Sequence, residues 1–335
     1  MKKWHERAME LYAQGYSKKE ITQKIEAEFG LTDMYNTVRC YVYKRSHRRK
    51  PLKEQLSFIS GCAYELPEEP AKEEKRVVIQ NQEPEHYAGK WDGTQTIRFA
   101  LMGDTQFGSK YAQITHLHNF YDLCAELGID TVYHTGDITD GLKMRPGHEY
   151  ELYLISADEM REDVVKNYPK RDGITTYFIT GNHDASLYKH VGYDIGAAIA
   201  RDRDDMVYLG RDCAIVDLTP NCNLELRHPW DGTAYSISYK PQKMINAMDS
   251  EEKPTILAIG HYHKLEYLFY RNIHTFQTGC FQSQTPFTRG KGIDVYMGGW
   301  IVELRVDKDG FVQGILPWFI PYYKAIKDDF KNFNR

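Results

Sequence analysis

Five short phrases in this sequence carry residues that bind metals or move protons: Gly103-Asp104-Thr105-Gln106, Gly136-Asp137-Ile138-Thr139-Asp140, Gly181-Asn182-His183-Asp184, Arg227-His228-Pro229-Trp230 and Gly260-His261-Tyr262-His263. Together they offer carboxylates, amide oxygens and imidazoles, and no thiolate. A mixed oxygen and nitrogen set suits Mn²⁺, Fe or Zn²⁺ and tells against a soft-metal site. Any one phrase is weak. A lone Gly-Asp is commonly a turn, and a lone His-x-His is as readily a surface feature as a metal site. Five in one chain, each after an apolar run, are hard to explain by core packing.

An apolar run followed by Gly-Asp reads as a buried strand that delivers a carboxylate at its carboxyl end. The runs 97–102, 131–134 and 175–179 are expected strands, separated by helices over about 114–127 and 150–167 and followed by one near 194–202. Beyond them the pattern is mostly strand: 206–209, 213–218, 223–227, 255–259, 274–277, 300–306 and 311–316. An α/β half followed by a β-rich half suggests two sheets packed face to face with outer helices.

The order of the five phrases resembles the calcineurin-like metallophosphoesterase superfamily, whose pattern is D-x-[HQ], GDxxD, GNH[DE], H, GHxH. The resemblance covers about residues 96–306. It implies a four-layer α-β-β-α sandwich with two divalent metal ions at the carboxyl ends of the strands. Carried over position by position, Asp104, Gln106, Asp137 and His263 hold one metal, and Asp137, Asn182, His228 and His261 the other. Asp137 bridges them, as two cations roughly 3.5–4 Å apart repel and need a shared carboxylate. A water between them loses its proton near neutral pH and attacks phosphorus in line. In the family the residue at His183 protonates or stabilises the leaving oxygen, and Asp184 beside it is placed to orient the ring.

Gln106 stands where the superfamily more often has histidine. A neutral, harder amide oxygen replaces an imidazole, which weakens the site for Zn²⁺ and favours Mn²⁺ or Mg²⁺. The same variant occurs in the superfamily's manganese-dependent ADP-ribose and CDP-alcohol diphosphatases, so Mn²⁺ is the expected ion.

The net charge of −4 hides an asymmetry. Residues 1–53 carry 13 basic and 6 acidic side chains, +7, and the remainder 30 basic and 41 acidic, −11. A basic head on an acidic body suggests two units with different partners. In the head, Trp4, Ala8, Leu11 and Tyr12 mark one helical stripe, which Gly15 ends. Ser17 and Glu20 form a capping box for a second helix with Ile21, Ile25 and Phe29, stopped by Gly30. Thr32 or Asp33 caps a third, with Val38, Tyr41 and Val42 inward. The stretch resembles the helix-turn-helix of resolvases and sigma-factor region-four modules. Its last helix then enters the major groove through Asn36, Thr37, Arg39 and Lys44, with Arg45, Arg48, Arg49 and Lys50 on phosphates. A small helical bundle or protein-docking module is the alternative. The expected division is therefore a DNA-binding head over 1–50, a Pro/Glu/Lys/Gln-rich linker over 51–94 with a short strand at Val77-Val78-Ile79, and a catalytic domain over 95–335.

No stretch is apolar enough to span a bilayer and the start lacks a signal-peptide core, which makes the cytoplasm the default location. Six scattered cysteines without a CxxC pair suit a reducing compartment. The general pattern resembles small nucleases of the double-strand-break-repair branch, including phage-encoded relatives. The expected function is a dinuclear-metal-dependent phosphodiesterase, a nuclease acting on DNA. The alternatives are a small-molecule nucleotide phosphohydrolase and a non-catalytic DNA-binding protein with a vestigial metal site. Since the body is net acidic, any DNA path across it needs a local basic stripe, with Arg145, Lys240, Lys243, Arg289 and Lys291 as its members.

Overall fold

Two helices open the chain, α1 (Trp4–Ala13) and α2 (Lys18–Phe29). The Ser17 side chain accepts from the Glu20 N–H, and the Glu20 carboxylate accepts from the Ser17 N–H at 2.9 Å, the capping box read from the sequence. Gly30 closes α2 in the left-handed region at φ 63°, where a Cβ is costly. Ala8, Leu11, Ile21, Ile25, Val38 and Val42 share one small core, while Tyr12 of the expected stripe is exposed. The computed structural model describes residues 4–32, 34, 35, 37, 38, 42, 85–89, 91–249 and 253–333. Thr37 is helical and exposed. The other expected DNA contacts, Asn36, Arg39, Lys44, Arg45, Arg48, Arg49 and Lys50, lie outside the described residues, as do Asp33, Tyr41 and the strand expected at Val77-Val78-Ile79.

The chain divides into two compact units, residues 1–78 and 79–335. In the second, the order is β1 (Glu85–Ala88), β2 (Thr96–Met102), α3 (Ile114–Glu126), β3 (Thr131–His134), α4 (Ala157–Asn167), β4 (Thr175–Thr180), α5 (Asn182–Val191), α6 (Ile195–Asp202), β5 (Met206–Arg211), β6 (Cys213–Thr219) and β7 (Cys222–Arg227). Then come α7 (Tyr239–Ala247), β8 (Ile256–Ile259), β9 (Leu265–Tyr270), β10 (Ile273–Thr278), the short helix α8 (Pro286–Gly290), β11 (Gly298–Val306) and β12 (Val312–Pro321). The strands form two six-stranded sheets, β12-β11-β2-β3-β4-β5 and β1-β6-β7-β8-β10-β9.

Alternation along the strands sorts the layers. Phe99 and Leu101 of β2 join Ile256 and Ala258 of β8 in the core between the sheets. Ala100 and Met102 face outward, into a second core with Leu117, Phe120 and Tyr121 of α3 and Met160 and Val164 of α4. Leu257 and Ile259 face outward from the other sheet, where Ile245 of α7 covers them. This is the four-layer α-β-β-α sandwich.

The departures from expectation are local. Residues 148–151 form a 3₁₀ turn, and the helix expected from 150 starts at Ala157, because Ser156 caps it by accepting from the Glu159 N–H. Residues 85–88, inside the expected linker, form β1, an edge strand parallel to β6 and anchored by the Tyr87 hydroxyl donating to Leu209 O at 2.8 Å. Its side chains are mostly exposed, so no alternation marks it. Helices α5 and α7 and strand β9 carry no strong sequence pattern and went unread. Among the described residues no helix is long and apolar enough to cross a membrane. Cys124, Cys213, Cys222 and Cys280 are free thiols.

Candidate metal centre

The five phrases all sit at carboxyl ends of strands. Strands β2, β3 and β4 are mutually parallel in one sheet, and β7 and β8 in the other, so the loops that follow them converge on one edge of the sandwich. Backbone bonds zip the first two loops together: Asp104 N–H donates to Gly136 O at 2.9 Å, Gln106 N–H to Asp137 O at 3.1 Å and Phe107 N–H to Ile138 O at 2.7 Å. The third joins through Asp184. Its carboxylate accepts from the N–H groups of Ile138 (3.0 Å), Thr139 (2.8 Å) and Gly181 (3.0 Å) and from the Thr139 hydroxyl (2.7 Å). Burial and the Asp137 charge push the Asp184 carboxyl up, against those four donors.

The ligand-type side chains pack against one another. His228 Nε2 lies 3.2 Å from Asp137 Oδ2 and 3.0 Å from Asn182 Oδ1. His263 Nε2 lies 3.3 Å from Asp104 Oδ1, and Gln106 Nε2 is 3.2 Å from Asp137 Oδ2. Asp137, His228 and His261 present donor atoms within 4.8 Å of one another, a spacing that one cation can bridge. Asp137 thus touches residues of both expected ligand sets.

Three observations fit this constellation to divalent cations. Gln106 Oε1 is buried and has no hydrogen-bond partner among the described residues, an acceptor with a lone pair to give. Asp104, Gln106, Asp137, His261 and His263 all hold φ between 52° and 75°, a conformation costly for side-chain-bearing residues and concentrated where function demands it. The imidazoles are also held from behind. His228 Nδ1 is 2.7 Å from Thr135 O, and His261 Nε2 is 2.6 Å from Asp231 O, which fixes each ring with its other nitrogen inward.

The electrostatics of the metal-free protein point the same way. Burial opposes charge on His228, but Asp137 and Asp104 outweigh it and raise the ring to about 9. Burial and the His228 charge push His261 down to about 4. Burial opposes the charge on Asp137, but His228, His183 and His261 hold it well below the usual carboxylate range. A proton on His228 therefore stands in for positive charge, and a cation bound there displaces it.

The motif glycines have a steric reason. A Cβ on Gly181 would lie 2.3 Å from Asp137 Oδ1 and 2.6 Å from His228 Nε2. Gly136, at φ 98°, would collide with His228 Nδ1 at 2.7 Å. Gly181 has an extended backbone that alanine adopts freely, so Gly181→Ala is purely a steric probe. The expected result is a folded protein with metal content reduced by at least half, read by elemental analysis.

His183 opens α5. Its N–H donates to Asp137 Oδ1 at 2.8 Å, and its Nδ1 faces Asp140, 2.7 Å from the carbonyl O and 2.9 Å from Oδ1. The ring partner is therefore Asp140, and Asp184, expected to orient the ring, instead ties the loops together. The reason is direction: α5 carries the Asp184 carboxylate back to the start of its own helix and the β3 loop. Burial opposes charge on His183, but Asp137 and Asp140 outweigh it and hold the metal-free ring at about 9. Sequence reading noted Asp140 without giving it a role, and missed Thr135, Gln282 and His148, whose signals are carried by contacts alone. Of the expected basic stripe, Arg145 pairs with Glu151 and lies 4.2 Å from the Phe287 ring centre, and Lys240 pairs with Asp231.

The fold and this clustered site define the two-sheet metallophosphoesterase-like architecture. The calcineurin-like phosphoesterase family matches residues 97–299, and the chain belongs to it. Curated relatives are DNA polymerase II small subunits: that of Methanothermobacter thermautotrophicus is 27% identical over 189 residues, 46% of this chain and 39% of that protein. That of Pyrococcus horikoshii is 26% identical over 191 residues, 46% of this chain and 30% of that protein. The match thus spans well under half the length of these relatives. Among solved structures, an archaeal phosphodiesterase aligns at TM-score 0.38 with 12% identity, over 67% of this chain and 100% of its own. The Escherichia coli phosphoesterase YfcE aligns at 0.33 with 13% identity, over 66% of this chain and 98% of its own.

Proposed function

We propose that this chain is a dinuclear-metal-dependent phosphodiesterase that cleaves DNA. The observation that carries the reading is the convergence of Asp104, Gln106, Asp137, Asn182, His228, His261 and His263 around a buried amide oxygen that has no hydrogen-bond partner among the described residues. Asp104, Gln106, Asp137 and His263 would hold one cation and Asp137, Asn182, His228 and His261 the other. The cations, when bound, supply charge neutralisation at the phosphate and a water of lowered pKa. His183 acts on the opposite side of the reaction. Asp140 engages Nδ1, which leaves Nε2 as the nitrogen that gives a proton to the departing oxygen as the P–O bond breaks. One water is consumed. Its oxygen goes to phosphorus, its proton to solvent, and His183 is reprotonated from solvent.

DNA as substrate is supported by the +7 head and by relatives named as DNA polymerase subunits. A panel with Mn²⁺ on single- and double-stranded DNA, a bis-aryl phosphodiester and ADP-ribose tests it. DNA cleavage together with the aryl ester supports the reading. ADP-ribose turnover alone makes the protein a nucleotide phosphohydrolase, and no turnover with intact metal binding makes it a non-catalytic relative.

Two further results are expected. Gln106→His should raise Zn²⁺ affinity relative to Mn²⁺ by about tenfold, since imidazole suits the more thiophilic, borderline ion better than an amide oxygen does. Competition titration of the two metals reads this directly. Changing Arg48, Arg49 and Lys50 together to Ala should weaken DNA binding and flatten its log–log salt dependence by about 0.9 per lost phosphate contact. Turnover of the aryl ester should be unaltered. An unchanged salt slope would make the head a protein-docking module.

A further inference from the structure

One buried imidazole next to the site has no part in the chemistry above. His148 is fully buried, and its Nε2 lies 3.3 Å from Asp140 Oδ1, the same oxygen that faces His183 Nδ1 at 2.9 Å. No other partner for that nitrogen exists among the described residues, and its contact to Asp140 is off the hydrogen-bonding line. We propose that His148 is a positioning residue for His183, acting through Asp140 in a buried file His148–Asp140–His183. This rests on the reading of His183 as the proton donor to the leaving oxygen.

Several features favour the file over simple packing. An apolar side chain would fill a sealed space at lower desolvation cost than an imidazole, whose polar atoms need partners. The loop that carries His148 is pinned on both sides. His148 N–H donates to Arg145 O at 3.2 Å, Arg145 pairs with Glu151, and Glu151 Oε1 accepts from the Phe287 N–H at 3.1 Å. The turn thus presents a fixed ring to Asp140. Among the described residues the far carboxylate oxygen, Oδ2, meets only the Gln282 amide at 3.4 Å, a long contact. Without His148, the carboxylate has little to stop it rotating away from His183. The His183 ring then keeps the Asp140 backbone carbonyl at Nδ1 but loses the carboxylate that stabilises its charged form and narrows its orientation.

The same three residues place donor atoms within 4.8 Å of one another, so a cation is the competing occupant. Protonation argues for the file. His148 Nδ1 accepts from the Met144 N–H at 3.4 Å, which puts the ring proton on Nε2, toward Asp140. His183 Nδ1 sits 2.7 Å from a backbone carbonyl, which also calls for a proton there. The nitrogens turned toward Asp140 are thus the ones that these second contacts keep protonated, and a nitrogen that retains its proton does not ligate a metal.

The test uses the full chain loaded with Mn²⁺ and two substrates, a p-nitrophenyl phosphodiester, whose leaving group needs no proton, and a dinucleotide, whose leaving group does. For His148→Ala the expected result is a kcat on the dinucleotide lowered by about 10-fold, the scale of about 1.4 kcal/mol of lost positioning. KM for both substrates, metal content and p-nitrophenyl turnover should stay within about twofold. His148→Gln, which keeps an N–H donor near the Nε2 position, should recover most of the loss. Equal losses on both substrates, no loss on either, or a Gln variant no better than Ala would overturn the proposal. A loss that follows metal loading, or an extra equivalent of metal bound by the wild type and missing in His148→Ala, would assign the cluster to a cation instead. A second readout does not depend on activity. In the diamagnetic Mg²⁺-loaded protein the hydrogen-bonded Nδ1 proton of His183, assigned by its absence in His183→Gln, should give a slowly exchanging resonance that exchanges markedly faster in His148→Ala. If the wild type cleaves neither ester, the functional reading fails while this resonance still decides the file.

Discussion

Asp137→Asn is expected to remove at least one of two Mn²⁺ ions per chain and to lower phosphodiester turnover by about 10³ or more. The carboxylate lies within 3.2 Å of both His228 and Gln106, which belong to the two halves of the centre. An amide keeps the shape and removes the charge. Two like-charged cations close together then repel without the shared anion that offsets them. The loss of several kcal/mol of charge stabilisation corresponds to the stated factor, at about 1.4 kcal/mol per tenfold. The substitution also leaves His228 without the largest influence that raises it, so burial pulls its ring back down. Metal analysis after Mn²⁺ loading reads the first effect, and turnover of an aryl phosphodiester the second. A variant that still holds two ions would remove Asp137 from the bridging position and the dinuclear assignment with it.

His183→Ala should separate chemistry from metal binding. Its side chain contacts Asp140 and not the ligand imidazoles, so metal content should stay nearly unchanged. Turnover of a substrate with an alkoxide leaving group should fall by about 10²–10⁴, the range for losing a general acid. The loss should shrink for p-nitrophenol, which departs without a proton. Its backbone N–H, which donates to Asp137 Oδ1, survives in the alanine variant, so the bridge keeps that partner. Equal losses for good and poor leaving groups would rule out the proton-donor role and leave His183 as a group that binds phosphate.

Much of the centre was legible because each ligand phrase follows an apolar strand, four of the five through a glycine. Strand periodicity gives the direction of the chain, and the glycine gives the close turn. Gly136 and Gly181 are read as motif letters in the sequence, and the structure supplies their reason, since a Cβ at either would strike His228. Partners within the site were less legible. Asp184 follows His183 directly, yet its carboxylate turns back to Ile138, Thr139 and Gly181, while Asp140, more than forty residues upstream, takes the ring. Adjacent positions at a helix start point in different directions around the axis, so sequence neighbours are poor guides to contact.

The sequence by itself determined the layered α/β class, the order of the strands that carry ligands, the family resemblance and the helix caps at Ser17 and Gly30, because these rest on periodicity and on local backbone preferences. Tertiary structure alone decided that β1 belongs to the sheet, that Asp140 rather than Asp184 holds His183, and that His148 closes behind it. Those contacts join residues far apart in the chain, or strands with no buried face. Their free energy comes from desolvation and charge at a place that exists only once both sheets are packed, and no local pattern of residues records it.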